Sequence, residues 1–291
     1  MIRDPRVVRP LRLILRALRP PPGRHRIGLA LCYGILCHLV FACAVAAMSV
    51  VMFHGMNASL GAVSWPWAPL ANGVLLLQFP LLHSWLLTRR GRAVLARLVP
   101  GDHSGTLSTT SYAIIASVQL LLLFALWTPT GIIWWRAEGL SFLLLCTMYG
   151  ASWLFLMKAS FDAGIEVQSG ALGWMSLLAG KRPVYPGMPV RGLFRYIRHP
   201  IYLAFTLTLW TVPVWTPDQL ILALVFSTYC LLAPCLKERR FSRHYGERFE
   251  RYRASVPYFL PAFGRVTRRF DGRRTNQNAH HNLKTPEEDC M

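Results

Sequence analysis

Acidic residues are what this sequence has least of. Only 13 of 291 residues are Asp or Glu, against 32 Lys or Arg, and charged residues of both signs make up 15% of the chain. A soluble domain carries about 25%, so an ordinary soluble fold is disfavoured. The apolar content of 53% excludes a disordered chain, which would be poor in such residues. The seven cysteines contain no Cys-x-x-Cys pair, and six of them lie inside apolar blocks. They read as small buried hydrophobes, with no disulfide framework. Neither Cys37-His38 nor His280-His281 has zinc-ligand spacing, and no metal is expected. No Gly-x-Gly-x-x-Gly follows a strand-like run, which argues against a soluble Rossmann-type nucleotide site.

What the chain has instead is long apolar blocks. Residues 27–53, 65–88 and 107–135 contain no charged side chain, and 139–157, 201–217 and 219–236 repeat the pattern. A helix needs about 20 apolar residues to cross a bilayer core. The first four blocks meet or approach that length. The last two are short, with Pro213, Pro217 and Asp218 between them, and read as a helical hairpin. The expected fold is therefore an all-α, multi-pass transmembrane bundle of about 5–6 spans, the last two a hairpin, followed by a cytoplasmic amphipathic helix. The first block is too long for the apolar core of a cleaved signal peptide and reads as a signal anchor.

The positive charge sits between the blocks. Of the 32 Lys and Arg, 31 fall in residues 1–26, 89–110, 158–200 and 237–291, and the remaining one is Arg136. Positive residues flanking spans stay on the cytoplasmic side. Alternate loops and both termini are thus expected there, in an integral membrane protein of a bacterial inner membrane. Contact with anionic lipid heads follows from the same charges. A nucleic-acid role does not, because it would want a basic folded module. Near the N-terminus, Arg12, Arg16 and Arg19 share helical spacing with Leu and Ile opposite. This fits either a short amphipathic helix on the membrane surface or a solvated basic arm. The triplet Asn57-Ala58-Ser59 fits a glycosylation pattern that is common by chance. The polar stretch from about Asp271 onward is expected to be disordered.

Two regions carry unusual polar content at span edges. In the first, Arg198 and His199 stand directly before Pro200, at the start of an apolar segment. Proline suits the first helical turn, and free N–H groups there favour an anionic group such as a carboxylate. His199 and Tyr202 are three apart and share a helix face; an interfacial anchor reads the same residues equally well. In the second, Glu238 is ringed by Lys237, Arg239 and Arg240. Phe241, Tyr245, Phe249 and Tyr252 then recur at helical spacing, giving one helix that docks under the membrane and stops at Val256-Pro257 and Pro261.

Together, Arg198-His199-Pro200-Ile201-Tyr202 and the later Glu238, Tyr245-Gly246, Phe249, Tyr252, Val256-Pro257 and Pro261 resemble the integral-membrane methyltransferases. These include isoprenylcysteine carboxyl methyltransferases, phospholipid N-methyltransferases, methanethiol S-methyltransferases and NnrU proteins. Gln78, His83-Ser84, Ser111-Tyr112, Ala116-Ser117, Trp127 and Pro129, with the hairpin run from Leu209 to Pro213, resemble the methanethiol S-methyltransferase and NnrU branch. The departures are Ala204 in place of a usual Gly, Lys237 in place of the first member of a Glu-Glu pair, and Ala163-Gly164-Ile165-Glu166 after Phe161-Asp162. The resemblance implies S-adenosylmethionine as cofactor, bound from the cytoplasm by Phe194, Arg198, His199, Pro200, Ile201, Tyr202 and Glu238. Charge and apolar content divide the chain into a basic cytoplasmic segment at 1–26, transmembrane helices at 27–160 and a disordered polar tail expected at 264–291, and the resemblance implies 161–263 as the cofactor-binding region. The implied reaction moves a methyl group to a small thiol such as methanethiol, giving dimethyl sulfide. Methylation of an isoprenylcysteine or lipid carboxylate, or a non-catalytic NnrU-like role, are the alternatives. No catalytic base and no oligomeric state follow from these residues.

Overall fold

A computed structural model describes residues 4–260. The expected tail at 264–291, with Pro261, His280, His281 and Cys290, lies outside the described residues. The fold is all-α. Helices α1 (Pro5–Ala17), α2 (Arg24–Phe53), α3 (Trp67–Leu86), α4 (Arg89–Arg97), α5 (Ser104–Leu126), α6 (Gly139–Gln168) and α7 (Ala171–Leu178) are followed by α8 (Pro200–Trp210), α9 (Pro217–Tyr245) and α10 (Glu247–Ser255). Helices α2, α5, α6 and α9 are long and apolar enough to cross a membrane, and α3 with α4 forms a fifth candidate bent by 92°. Leu31, Ile35, Leu39, Leu70, Val74, Leu143 and Leu154 are exposed on these helices. So much apolar surface suits lipid rather than water. The chain is an integral membrane protein.

Helices α6 and α9 run past their charge-free blocks, to Gln168 and Tyr245, and expected blocks and observed helices differ in two further places. The apolar run at 127–135 is not helical: α5 ends at Leu126, ahead of Pro129 and of Gly131 at φ +73. The last pair is unequal. Helix α8 has 11 residues, roughly 16 Å at 1.5 Å per residue, about half of a bilayer core. It ends where Thr211 and Pro213 break the pattern, and α9 restarts on a Thr216 cap. The hairpin therefore holds one short and one long arm.

The far end of the hairpin is held by polar groups. Asp218 is buried, and its carboxylate accepts from Trp127 Nε1 at 3.1 Å, Thr130 N at 2.9 Å and Thr130 Oγ1 at 2.6 Å. A two-residue ribbon pairs Trp135 with Trp215 and Arg136 with Val214. Trp127, Pro129 and the 209–213 run thus sit at this end of the fold. Inside the bundle, Gln78 and Gln119 bond each other across α3 and α5, with Gln119 Nε2 donating to Gln78 Oε1 at 2.8 Å. Such pairs satisfy polar groups where no water competes. The main core packs Met52, Leu123, Phe124, Leu209, Leu222 and Phe226.

The N-terminal segment is a helix, not a free arm. Asp4 caps α1 by accepting from Arg6 N at 3.0 Å, and the Arg6 guanidinium holds its carboxyl down at about 2. Arg6 also reaches the buried Asp162 at 2.6 Å, and Arg9 pairs with Glu166, so α1 is pinned to α6. Leu11, Leu15 and Leu18 remain exposed, as suits a helix lying in an interface. The Asn57 side-chain amide is buried and has no hydrogen-bond partner among the described residues, whereas Ala58 beside it is exposed.

Candidate active site

The two C-terminal motifs meet through one carboxylate. Arg198 and His199 precede α8, where Pro200 takes the first helical position. Glu238 lies near the end of α9. Its Oε1 accepts from Arg198 Nε at 2.9 Å and from His199 Nε2 at 2.8 Å, and Arg253 Nε stands 3.6 Å from Oε2. Arg198 continues the network. Its Nη1 donates to the carbonyls of Arg253 at 2.6 Å and Val256 at 2.7 Å, and its backbone N to Pro257 O at 2.9 Å. Tyr252 donates to Phe194 O at 2.6 Å. The result is a latch that ties α10 and the segment after it onto the starts of α8 and the end of α9.

Geometry before the latch depends on Gly192. It sits at φ +61, and a Cβ there would come within 2.1 Å of Asp162 Oδ2. That carboxylate also accepts from Leu193 N at 2.9 Å and from Lys158. This is the physical content of the Phe161-Asp162 pair: it anchors the turn that carries Phe194, and Phe194 is itself buried. His199 is buried and edge-on to the rings of Tyr202 and Tyr258. Burial pushes its imidazole below the ordinary range, against the pull of Glu238. With Nε2–H given to Glu238, Nδ1 is left buried and unpartnered among the described residues.

The aromatic stripe departs from expectation. Phe241, Tyr245, Phe249 and Tyr252 do not share one helix. Gly246, at φ +50, separates α9 from α10. Phe249 and Tyr252 nevertheless pack with Met188 and Val256, and Phe241 and Tyr245 close over them.

Beside the latch lies a cavity of about 380 Å³. Helices α2, α3, α5, α6, α8 and α9 all contribute to its wall. Of the seven residues expected to bind a cofactor, Ile201 and Tyr202 line it. Phe194, Arg198, His199, Pro200 and Glu238 stand behind that wall. Its inner part is apolar, with Met48, Met52, Phe124 and Leu209; its other part carries His83, Tyr112, Tyr202, Tyr229, Lys237 and Arg240. His83 stacks on Phe79 and its Nε2 lies 2.7 Å from the Tyr112 hydroxyl; its Nδ1 has no partner among the described residues. Tyr229 pairs with Ser84 at 3.1 Å. The resemblance in α3 and α5 therefore maps partly onto this wall. Tyr229, Lys237 and Arg240 were not singled out as a lining face, although Phe226, Tyr229, Ala233, Lys237 and Arg240 recur at helical spacings of three and four, the signature of one face.

Fold and cavity together define a polytopic helical membrane protein that encloses a ligand-sized chamber. No protein-family model matches the chain, and no solved structure matches it. Curated relatives do. A methanethiol S-methyltransferase of Pseudomonas deceptionensis is 27% identical over 203 residues, covering 69% of this chain and 76% of that protein. One of Crocosphaera subtropica is 27% identical over 241 residues, 81% and 92% of the two chains. Nurim of Mus musculus is 31% identical over 179 residues, 57% and 64%. The chain is similar to the membrane methyltransferases over most of its length. It is a methyltransferase, and its chemistry calls for a methyl donor.

Proposed function

We propose that the chain uses S-adenosylmethionine to methylate a small thiol such as methanethiol inside the cavity, yielding dimethyl sulfide. The observation that carries this reading is the similarity to relatives of that name, which covers 69% and 81% of this chain. In support, the residues present fit the donor. Phe79, Tyr202, Phe205 and Tyr229 surround the chamber, and aromatic faces attract a sulfonium. In this reading Ile201 and Tyr202 contact the donor, while Phe194, Arg198, His199, Pro200 and Glu238 set the shape of the 161–263 region that holds it. Bound S-adenosylmethionine would supply an electrophilic methyl group on sulfur. The chain's share is to align the acceptor in line with it and to keep water out, since an anionic nucleophile and a sulfonium cancel charge as they react. Both termini are assigned to the cytoplasm of a bacterial inner membrane, where donor is available.

Membranes containing the protein are expected to release dimethyl sulfide into the headspace when given methanethiol and S-adenosylmethionine. Binding of the donor with no dimethyl sulfide formed would remove this acceptor. In that case radioactive methyl transfer to a farnesylcysteine analogue tests the lipid-carboxylate alternative, which the apolar lining residues Met48, Met52, Phe124 and Leu209 favour.

A further inference from the structure

Lys237 and Arg240 both line the cavity, and among the described residues no Asp or Glu does. They are three residues apart on α9, so their side chains leave the same face of the helix. Neither has an ion pair among the described residues. The acid next to Lys237 in sequence, Glu238, turns to Arg198, His199 and Arg253 instead. The Lys237 ammonium stands 5.9 Å from the Phe194 ring centroid and 5.3 Å from that of Phe241. These contacts hold the cation in place without neutralising it. Two like charges on one partly enclosed wall repel each other and lose hydration. A negative group between them would offset both effects.

We propose that Lys237 and Arg240 form an anion subsite that takes the carboxylate or thiolate of a ligand whose remaining body is apolar or aromatic. The proposal rests on the reading of the cavity as the place of methyl transfer. The Tyr202 and Tyr229 hydroxyls line the same chamber and can donate to such an anion. The apolar inner part accepts the rest of the ligand. The anion has two possible sources, the amino-acid carboxylate of the methyl donor and the nucleophile of the acceptor. In the second case a thiol reaches the subsite already ionised, its proton having passed to water. Its sulfur lone pair then forms the new S–C bond, and the methyl–sulfonium bond breaks with its electrons going to the donor sulfur. A cationic subsite favours the thiolate by the same electrostatics that lower a cysteine pKa beside Lys or Arg.

The test uses the full chain in a neutral maltoside detergent and two probes of equal apolar length, butanesulfonate and butanol. Calorimetry should find the sulfonate bound at least ten times more tightly than the alcohol. Lys237→Met and Arg240→Met should each reduce sulfonate affinity several-fold, the double variant should abolish the preference, and Lys237→Arg should retain it. Equal affinity for the two probes in the unmodified protein overturns the proposal. So does a preference that survives in the double variant. The source is read from S-adenosylmethionine and its decarboxylated analogue. If the double variant weakens only the former, the anion is the donor's carboxylate. If it weakens neither while losing the sulfonate preference, the anion is the acceptor's. Dimethyl sulfide formation in the same preparation separates this proposal from the reading beneath it. A sulfonate preference without product leaves the subsite standing and removes methanethiol as acceptor; product without a preference does the reverse.

Discussion

Lys237 and Glu238 are neighbours in sequence and opposites in circumstance. Glu238 faces a latch in which two guanidinium groups and the His199 imidazole converge on one carboxylate. Lys237 faces a chamber whose lining, among the described residues, holds a second cation and no acid. Successive residues on a helix point about 100° apart, so one step along α9 separates a satisfied network from an unsatisfied one. The difference is informative. A network whose charges are all paired inside the protein is built for shape. A wall whose charges lack partners is built for something that arrives. The latch orders the C-terminal helices; the chamber wall is where recognition is expected.

Breaking the latch should cost most. Glu238→Ala leaves Arg198, nearly buried with a side-chain exposure of 11%, without its anion. Removing one partner of a buried pair costs about 3–5 kcal/mol. A large drop in the thermal midpoint of the detergent-solubilised protein is expected, and an unchanged midpoint would show that the network contributes nothing to stability. Gly192→Ala should come next. It places a side chain at φ +61 against the Asp162 carboxylate, a strain of roughly 1–3 kcal/mol, and its damage should spread to the Phe194 turn. Limited proteolysis near residues 190–196 would detect that loosening, and native-like resistance would contradict it. At Lys237 the expectation is the reverse of Glu238. Lys237→Met removes a like-charge contact and two ring contacts of similar size, so stability should stay within about 0.5 kcal/mol. A loss as large as that of Glu238→Ala would erase the contrast between the two residues.

Much of the fold was legible because burial in lipid leaves a plain signature. The charge-free blocks located α2 and α3 to within a few residues, and likewise the starts of α5, α6 and α9, whereas α5 ends before its block does and α6 and α9 run on beyond theirs. What stayed hidden were places where distant groups override local composition. Helix α6 runs on past Lys158 and Asp162 to a kink at Gly164 (φ +107), with Glu166 in the turn beyond, and Arg6 and Arg9, more than 150 residues earlier, supply the counter-charges. No local pattern records that pairing. The meeting of Arg198, His199 and Glu238 was legible only through the family resemblance, since 39 and 40 residues separate the partners. The cationic wall was readable from the 226–240 spacing, but the aromatic stripe drew attention to a different face and ran one helix through Gly246, whose φ of +50 ends it.

The smallest effect distinguishes the two forces that act on His199. Burial disfavours its charged form, and the Glu238 carboxylate favours it. Burial prevails, so the folded state binds the imidazole proton more weakly than the unfolded chain does. Below the ordinary histidine value of about 6.5, the unfolded state then takes up more protons, and stability falls as pH falls. The difference in thermal midpoint between the unmodified protein and His199→Gln should therefore shrink on acidification from pH 7.5 toward 5.5 (~1–2 °C). Were the latch electrostatically dominant at this position, the sign would reverse, and the advantage of histidine would grow as the pH dropped. The sign of that slope thus reports whether the buried side of His199 belongs to the latch or to the apolar wall of the chamber.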